Sequence, residues 1–344
     1  MLVSAPTAPK GRESRWSRNS GLALLLTAVL VVAVLSLGIG SRFVPPGEVL
    51  NALFNPSSSF ATTIVHDLRM PRTLGGLALG AALGMSGAVM QGLTRNPIAD
   101  PGILGVHAGA AFGVVLAIHL FGILGFHGHM LFAFAGAVVV SVVVWMAGSS
   151  GRGGATPVKV ALAGAAITAF VGSATTLVLY ADEVAFDEFR FWTIGSLSGT
   201  KATTLVSALP FLIAGTLLAL ILTRGLNGLA MGEDMARSLG LRVHNVRVLS
   251  AVAVVLLSGT AVAVAGPIGF IGLTVPHLAR FAAGQDYRWI VPYSALMGAV
   301  LLLGADVIGR VIASPAEVQV GAVTAAIGAP LFIWFVRRAA VRAL

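Results

Sequence analysis

Cysteine is absent from this chain of 344 residues, which excludes disulfides, thiolate metal sites and cysteine nucleophiles together and leaves the redox compartment unread. Charge is scarce as well: 10% of residues are Asp, Glu, Lys or Arg, against about 25% in an average soluble domain. No G-x-x-x-x-G-K followed by Ser or Thr occurs, so the chain has no phosphate loop with which to hydrolyse ATP itself. The seven histidines include no H-E-x-x-H, and no one apolar run collects His and carboxylates, so a metal channel or a membrane metalloprotease lacks its ligands.

What remains is apolar. Hydrophobic residues make up 57% of the chain, and its mean hydropathy is +0.93. A span needs about 20 apolar residues, so the length accommodates roughly ten helices in one all-α, polytopic membrane bundle. Apolar stretches between charged and Gly/Pro punctuation place spans near 21–41, 72–93, 103–120, 129–148, 158–180, 204–223, 246–265, 268–279, 291–310 and 320–336. The eighth is too short to cross about 30 Å of hydrocarbon unaided. Residues 1–20 and 339–344 read as cytoplasmic tails around a transmembrane domain at 21–338. The first run follows Lys10, Arg12, Arg15 and Arg18, but it is too long for a signal sequence and has no A-x-A site, so it reads as a retained span.

The formal charge of +9 does not point to nucleic acid, because the basic residues are scattered between apolar runs. With the N-terminus inside, only Arg42, Arg69, Arg72, Arg190, Lys201 and Arg310 of the 22 basic residues fall outside, leaving 16 on the inward side. The positive-inside rule therefore favours two cytoplasmic termini.

Four stretches carry the chemistry. At the outer mouth of the second span, Arg69-Met70-Pro71-Arg72 sets two arginines near one helical face, with a proline suited to a first turn. Arg310 ends the ninth span at the same face, one turn after Asp306, a spacing that permits an ion pair. These arginines serve either lipid headgroups or a partner. In Arg95-Asn96-Pro97-Ile98-Ala99-Asp100-Pro101-Gly102, two prolines and a glycine break the helix. Residues Gly232 to Leu241 read as a short amphipathic helix, with Glu233 and Asp234 in its first turn and Gly240 at its end, suited either to the membrane surface or to a partner's grip. Finally, Gly266 to Arg280 builds a kinked segment with His277 facing cytoplasm or pore.

Glycine repeats frame these stretches: Gly76, Gly80, Gly84, Ala88 and Gly92 in the second span, and Gly105, Gly109 and Gly113 in the third, both seams for close helix packing. Gly92-Leu93-Thr94 before Pro97 and Gly272-Leu273-Thr274 before Pro276 form a faint echo of a duplicated half.

From about Arg69 to Arg338 the chain resembles the iron-siderophore and cobalamin permease family (FecCD-type) of binding-protein-dependent ABC importers. The resemblance rests on RMPRTLGGLALGAALGMSGAVMQGLTRNPIADPGILGVHAGAAFG, GEDMARSLGL, AGPIGFIGLTVPHLAR and VGAVTAAIGAPLFIWFVRR in this order. It implies a permease subunit in the bacterial cytoplasmic membrane that pairs with a second permease, identical or paralogous, and with two cytoplasmic ATPases and an extracytoplasmic solute-binding protein. It also implies that the chain is not an enzyme and binds no cofactor, ATP-Mg being held by the ATPases. The cargo so implied is a ferric siderophore or similar iron chelate, with cobalamin or haem as the alternative.

By the same likeness, Arg69, Arg72 and Arg310 resemble sockets for carboxylates of the binding protein. Gly232, Glu233, Asp234, Ala236, Arg237, Leu239 and Gly240 resemble the helix that couples to the ATPase, and Asn96 with Pro97 resembles the cytoplasmic narrowing of the pathway. Two departures stand out: Glu317-Val318-Gln319-Val320-Gly321 lacks the usual proline, and Thr156-Pro157-Val158 has a proline where small hydroxyl residues form part of an inner gate. A secondary transporter is the first rival, but Asp306 alone lies within a span, too few for a proton relay. A lipid-modifying enzyme is the second, and it lacks a nucleophile or acid–base pair.

Overall fold

The computed structural model describes residues 18–40, 44–54, 60–123, 126–151 and 156–341. Most of the two terminal tails, together with Arg42 and Arg152, lies outside the described residues. Among the described residues every regular element is helical, as a chain in lipid requires, since only internal bonds can satisfy its backbone. Helix α1 (Arg18–Gly38) is followed by the short α2 (Pro46–Phe54). A long rod then runs from α3 (Phe60–Thr63) through a π-helical turn (Ile64–Arg69) into α4 (Met70–Thr94). Next come α5 (Val106–Phe121), α6 (Phe126–Ser149), α7 (Pro157–Ala181), α8 (Glu183–Trp192) and α9 (Ala202–Ile221). The remainder is α10 (Thr223–Ala230), α11 (Glu233–Ser238), α12 (Val243–Val254), α13 (Thr260–Ala265), α14 (Ile271–Ala283), α15 (Tyr287–Ile312) and α16 (Val320–Val341).

Among the described residues, seven helical stretches are long and apolar enough to cross a membrane: Arg18–Gly38, Ile64–Thr94, Gly128–Ser149, Pro157–Ala181, Ala202–Ile221, Val243–Ala265 and Tyr287–Ile312. The expected third and tenth spans are shorter apolar helices, Val106–Phe121 and Val320–Trp334. In the eighth, Gly266–Phe270 stays out of helix and α14 has 13 residues, about 20 Å at 1.5 Å per residue. The second span starts earlier than the sequence suggests. Met70 donates its N–H to the carbonyl of Val65, five residues back, and Pro71 has no N–H to give, so the ladder loosens into a π turn instead of ending.

Helix α4 is the buried centre, packed antiparallel against α15 and flanked by α14, α12 and α9. Lipid tails are as apolar as leucine, so close van der Waals contact has to supply the association. The glycine repeat provides it. A methyl group at Gly80 would lie 2.9 Å from the Cα of Ala299, and one at Gly84 would strike the carbonyl of Ser294. The second repeat works the same way between α5 and α6, where Gly109 meets the backbone of Gly136 and Gly113 that of Phe132. The echoed Gly-Leu-Thr triplets sit at opposite ends of their helices, the C-terminus of α4 and the N-terminus of α14, so the fold does not place them in equivalent positions. An apolar groove of about 490 Å³ lies between α4, α9 and α15, lined by Ala78, Met85, Leu212, Leu217 and Pro292 among others. Thr216 is the one hydroxyl in its lining, which suits lipid tails better than a polar chelate.

Candidate functional site

The three arginines singled out in the sequence converge at one end of the α4–α15 pair, and two of them, Arg72 and Arg310, share the carboxylate of Asp306. Asp306, 1% exposed, accepts Arg72 Nε at 3.1 Å and Arg72 Nη2 at 2.8 Å on Oδ1, while its Oδ2 accepts Arg310 Nε at 3.0 Å and also Arg310 Nη2. The intrahelical pair expected between Asp306 and Arg310 is therefore present, and Arg72 completes it from α4. Arg72 Nη1 donates to Glu317 at 2.7 Å. Glu317 belongs to the loop that departs from the family pattern by lacking a proline.

Arg69 and Arg310 also do something the sequence did not announce. Helix α1 has no basic residue in its own last turn, so its final carbonyls need donors from elsewhere. Arg69 Nη1 donates to the carbonyls of Leu37 at 2.7 Å and Gly38 at 2.8 Å. Arg310 Nη1 donates to those of Ser36 at 2.9 Å and Ile39 at 3.2 Å, and Nη2 donates to the Ser36 hydroxyl at 3.0 Å. Two guanidinium groups from other helices thus cap α1, where its dipole favours cations. Capping a buried helix end draws both side chains inward, leaving Arg69 7% and Arg310 2% exposed. Arg72 is the member whose charge reaches the surface, beside a half-exposed Glu317.

At the opposite end of α15, α11 is shorter than the sequence suggests. It spans Glu233–Ser238, with Gly232 at φ +105 as its N-cap, Leu239 closing it, and Gly240 at φ +78 beyond. Both glycines occupy backbone conformations that strain any other residue. Glu233 is held from two sides, by Arg237 at 2.6 Å and by Arg247 of α12 at 2.9 Å, while Asp234 is solvent-exposed. Ala236 packs inward, Met235 and Leu239 lie one turn apart and exposed, and Met231 is exposed just before the Gly232 break. Sequence reasoning passed over the two methionines. Their four-residue spacing beside Leu239 was the available signal.

The Asn96–Pro97 break lies at this same end, after α4 ends at Thr94 with Arg95 left-handed at φ +50. Asn96 is exposed, and its Oδ1 accepts the N–H of Ile98 at 3.1 Å, so its side chain shapes the turn. Asp100 caps the following short 3₁₀ helix by accepting from Gly102 at 2.8 Å. His277 is half-buried, bonded to the carbonyl of Leu273 at 3.1 Å and edge-on to Phe332.

The FecCD transport family matches residues 27–338. The chain is 47% identical over 319 residues to the ferric enterobactin transport system permease protein of Escherichia coli (strain K12), covering 92% of this chain and 94% of that one. It is 41% identical to the iron(3+)-hydroxamate import system permease protein of Bacillus subtilis (strain 168), over 95% of this chain and 86% of the relative. Among solved structures, an inward-facing metal-chelate type ABC transporter matches with a TM-score of 0.82 and 29% identity, over 93% of this chain and 99% of that one.

Proposed function

This chain belongs to the FecCD transport family, and we propose that its cargo is a ferric siderophore delivered by an extracytoplasmic binding protein. The chain is a multi-pass permease subunit of an ABC importer and not itself an enzyme. What carries the cargo reading is likeness along almost the whole chain to two permeases named for ferric siderophore-type chelates. In the proposed importer a second permease, identical or paralogous, completes the pathway. Two separate ATPases, holding ATP-Mg, grip α11 from the cytoplasm, where the basic residues also put both termini. Asn96 and Pro97 narrow the pathway at that side.

Docking falls on Arg72 directly, and on Arg69 and Arg310 through the α1 end that they hold in place. A carboxylate arriving at Arg72 finds Nη1 occupied by Glu317, so docking exchanges one carboxylate for another. Removing the competitor with Glu317→Gln should tighten docking of the cognate binding protein about two- to fivefold at low salt, an exposed-pair effect. Unchanged or weaker docking would count against this role for Arg72. Transport follows as alternating access: docking outside and ATPase closure inside favour different states of the bundle, and only that difference in affinity can move it.

The experiment that tests the whole reading is ATP hydrolysis by the reconstituted permease and ATPase, with binding proteins loaded in turn with a ferric catecholate, a ferric trihydroxamate, ferric citrate and hemin. Stimulation by a siderophore-loaded protein supports the proposal. Stimulation by hemin alone transfers the cargo to haem, and failure to assemble with any ATPase refutes the importer.

A further inference from the structure

A second set of polar side chains lies at the α11 end and has no part in docking or in the pathway. Asn227, on α10, is half-buried and makes two bonds with one amide. Its Nδ2 donates to Asp286 Oδ1 at 2.6 Å, and its Oδ1 accepts the backbone N–H of Tyr287 at 2.9 Å. Asp286 is the N-cap of α15 and also accepts from Arg288 N–H at 2.9 Å. Asn227 therefore grips both the capping carboxylate and the first free backbone donor of that helix, a two-point contact that fixes orientation as well as distance.

The surroundings make this a rigid joint. Tyr287 lies against α4 at Gly92, where an added methyl would be 2.9 Å from its ring and 3.0 Å from Leu226 of α10. Arg280 of α14 donates to Gln91 Oε1 at 2.5 Å and reaches the Tyr287 hydroxyl at 3.4 Å. Gln91, fully buried on α4, donates in turn to the carbonyl of Leu273 at 3.1 Å. On the other flank Arg247 ties Glu233 of α11 to α12. Polar side chains thus tie the α10–α11 elbow to two long helical stretches, Asn227 to the start of α15 and Glu233, through Arg247, to α12.

Helix α15 has 26 residues and a length of about 39 Å, and near its far end it carries Asp306, to which Arg72 and Arg310 are bonded. One continuous helix therefore joins the elbow to the arginine cluster. We propose that Asn227 is a positioning residue for energy coupling: it clamps the α10–α11 elbow to the start of α15, so that movement of α11 is delivered to the helix that holds the Asp306 cluster. This rests on the reading of α11 as the helix gripped by the ATPase.

A structural role alone would change folding and activity together, so the test separates hydrolysis from transport. Asn227→Asp places a second carboxylate against Asp286 and breaks the clamp. Combining it with Asp286→Asn restores a donor–acceptor pair of the same size with the roles exchanged. The assembled importer is reconstituted in vesicles, and uptake of radio-iron ferric enterobactin, or of the panel chelate that the wild type carries, is read per ATP hydrolysed. The expected result is near-normal hydrolysis by Asn227→Asp with transport per ATP lowered about fivefold or more, and recovery to within about twofold in the exchanged pair. Unchanged transport per ATP in Asn227→Asp overturns the clamp, as does an equal loss of hydrolysis and transport or a loss that the exchange fails to repair. A wild-type assembly that hydrolyses ATP but carries none of the chelates refutes the ferric-chelate cargo of the proposed function, a result distinct from any of these.

Discussion

Replacing Asp306 by asparagine isolates the charge at the centre of the arginine cluster without altering its shape. In the native protein Oδ1 accepts from Arg72 alone, while Oδ2 accepts from Arg310 and also from Arg72 Nε at 3.1 Å. Asparagine turns one of those acceptors into an NH₂ donor aimed at a guanidinium, and it leaves three arginines facing Glu317 as the one remaining acid of the group. Breaking a buried ion pair by removing one partner costs about 3–5 kcal/mol. For a chain of this size about 2 °C of melting temperature corresponds to 1 kcal/mol, so the detergent-solubilised variant should melt about 6–10 °C lower. Asp306 is 1% exposed, so the deficit should be the same at low and at high salt, unlike that of a surface pair. Tryptophan fluorescence during heating measures it. A fall of less than about 2 °C, or one that salt erases, would refute the view that this carboxylate holds the neighbouring ends of α1, α4 and α15 together.

Two further outcomes follow from the packing and the cap. Gly84→Val drives a branched side chain into the backbone of Ser294 and should prevent a stable α4–α15 pair, read as loss of monodisperse protein on gel filtration, whereas the same change at Gly304, which has open space, should be tolerated. Burial alone would raise the pKa of Asp286, but the N–H of Arg288, the Asn227 amide and the charges of Arg288 and Arg18 outweigh it and hold the carboxyl below its ordinary value. A depressed native pKa gives stability that is complete above the unfolded value of about 3.9 and is lost as pH falls through the native one. The melting difference between wild type and Asp286→Asn should therefore stay flat from about pH 8 to 5 and shrink only below about pH 4; shrinkage already at pH 6 would contradict the assignment.

Much of this fold is legible in the sequence because its signals are local. Glycines four apart in α4 announce a seam, and acids at Glu233 and Asp234 followed by Gly240 announce a short helix with defined ends. The partner of the seam is not legible, since nothing in Gly80 or Gly84 names residues 294–299 as the surface they meet. Span length is only half legible. The run at 72–93 gives no hint that the helix continues back through a π turn to Phe60, because Pro71 normally marks a beginning.

The arginines show where such a reading stops. Arg69 and Arg72 look equivalent in sequence, three residues apart on one helix, and Arg310 looks like their counterpart. The structure divides them by acceptor. Carboxylates hold Arg72, whereas Arg69 donates to the carbonyls of Leu37 and Gly38, and Arg310 divides its bonds between Asp306 and residues 36–39, more than 30 residues away from the first and more than 270 from the second. A backbone carbonyl has no residue identity, so no motif can encode that partnership, and it appears only once α1 is in place. The same holds for Asn227, an ordinary polar residue in an ordinary loop-like stretch until α15 begins beside it. At the arginine cluster, exchanging Arg310 for lysine keeps the charge but gives up the planar fork that reaches Asp306, Ser36 and Ile39 at once. Charge at that position is therefore insufficient: what fastens α1 to α15 is the number and direction of the donors.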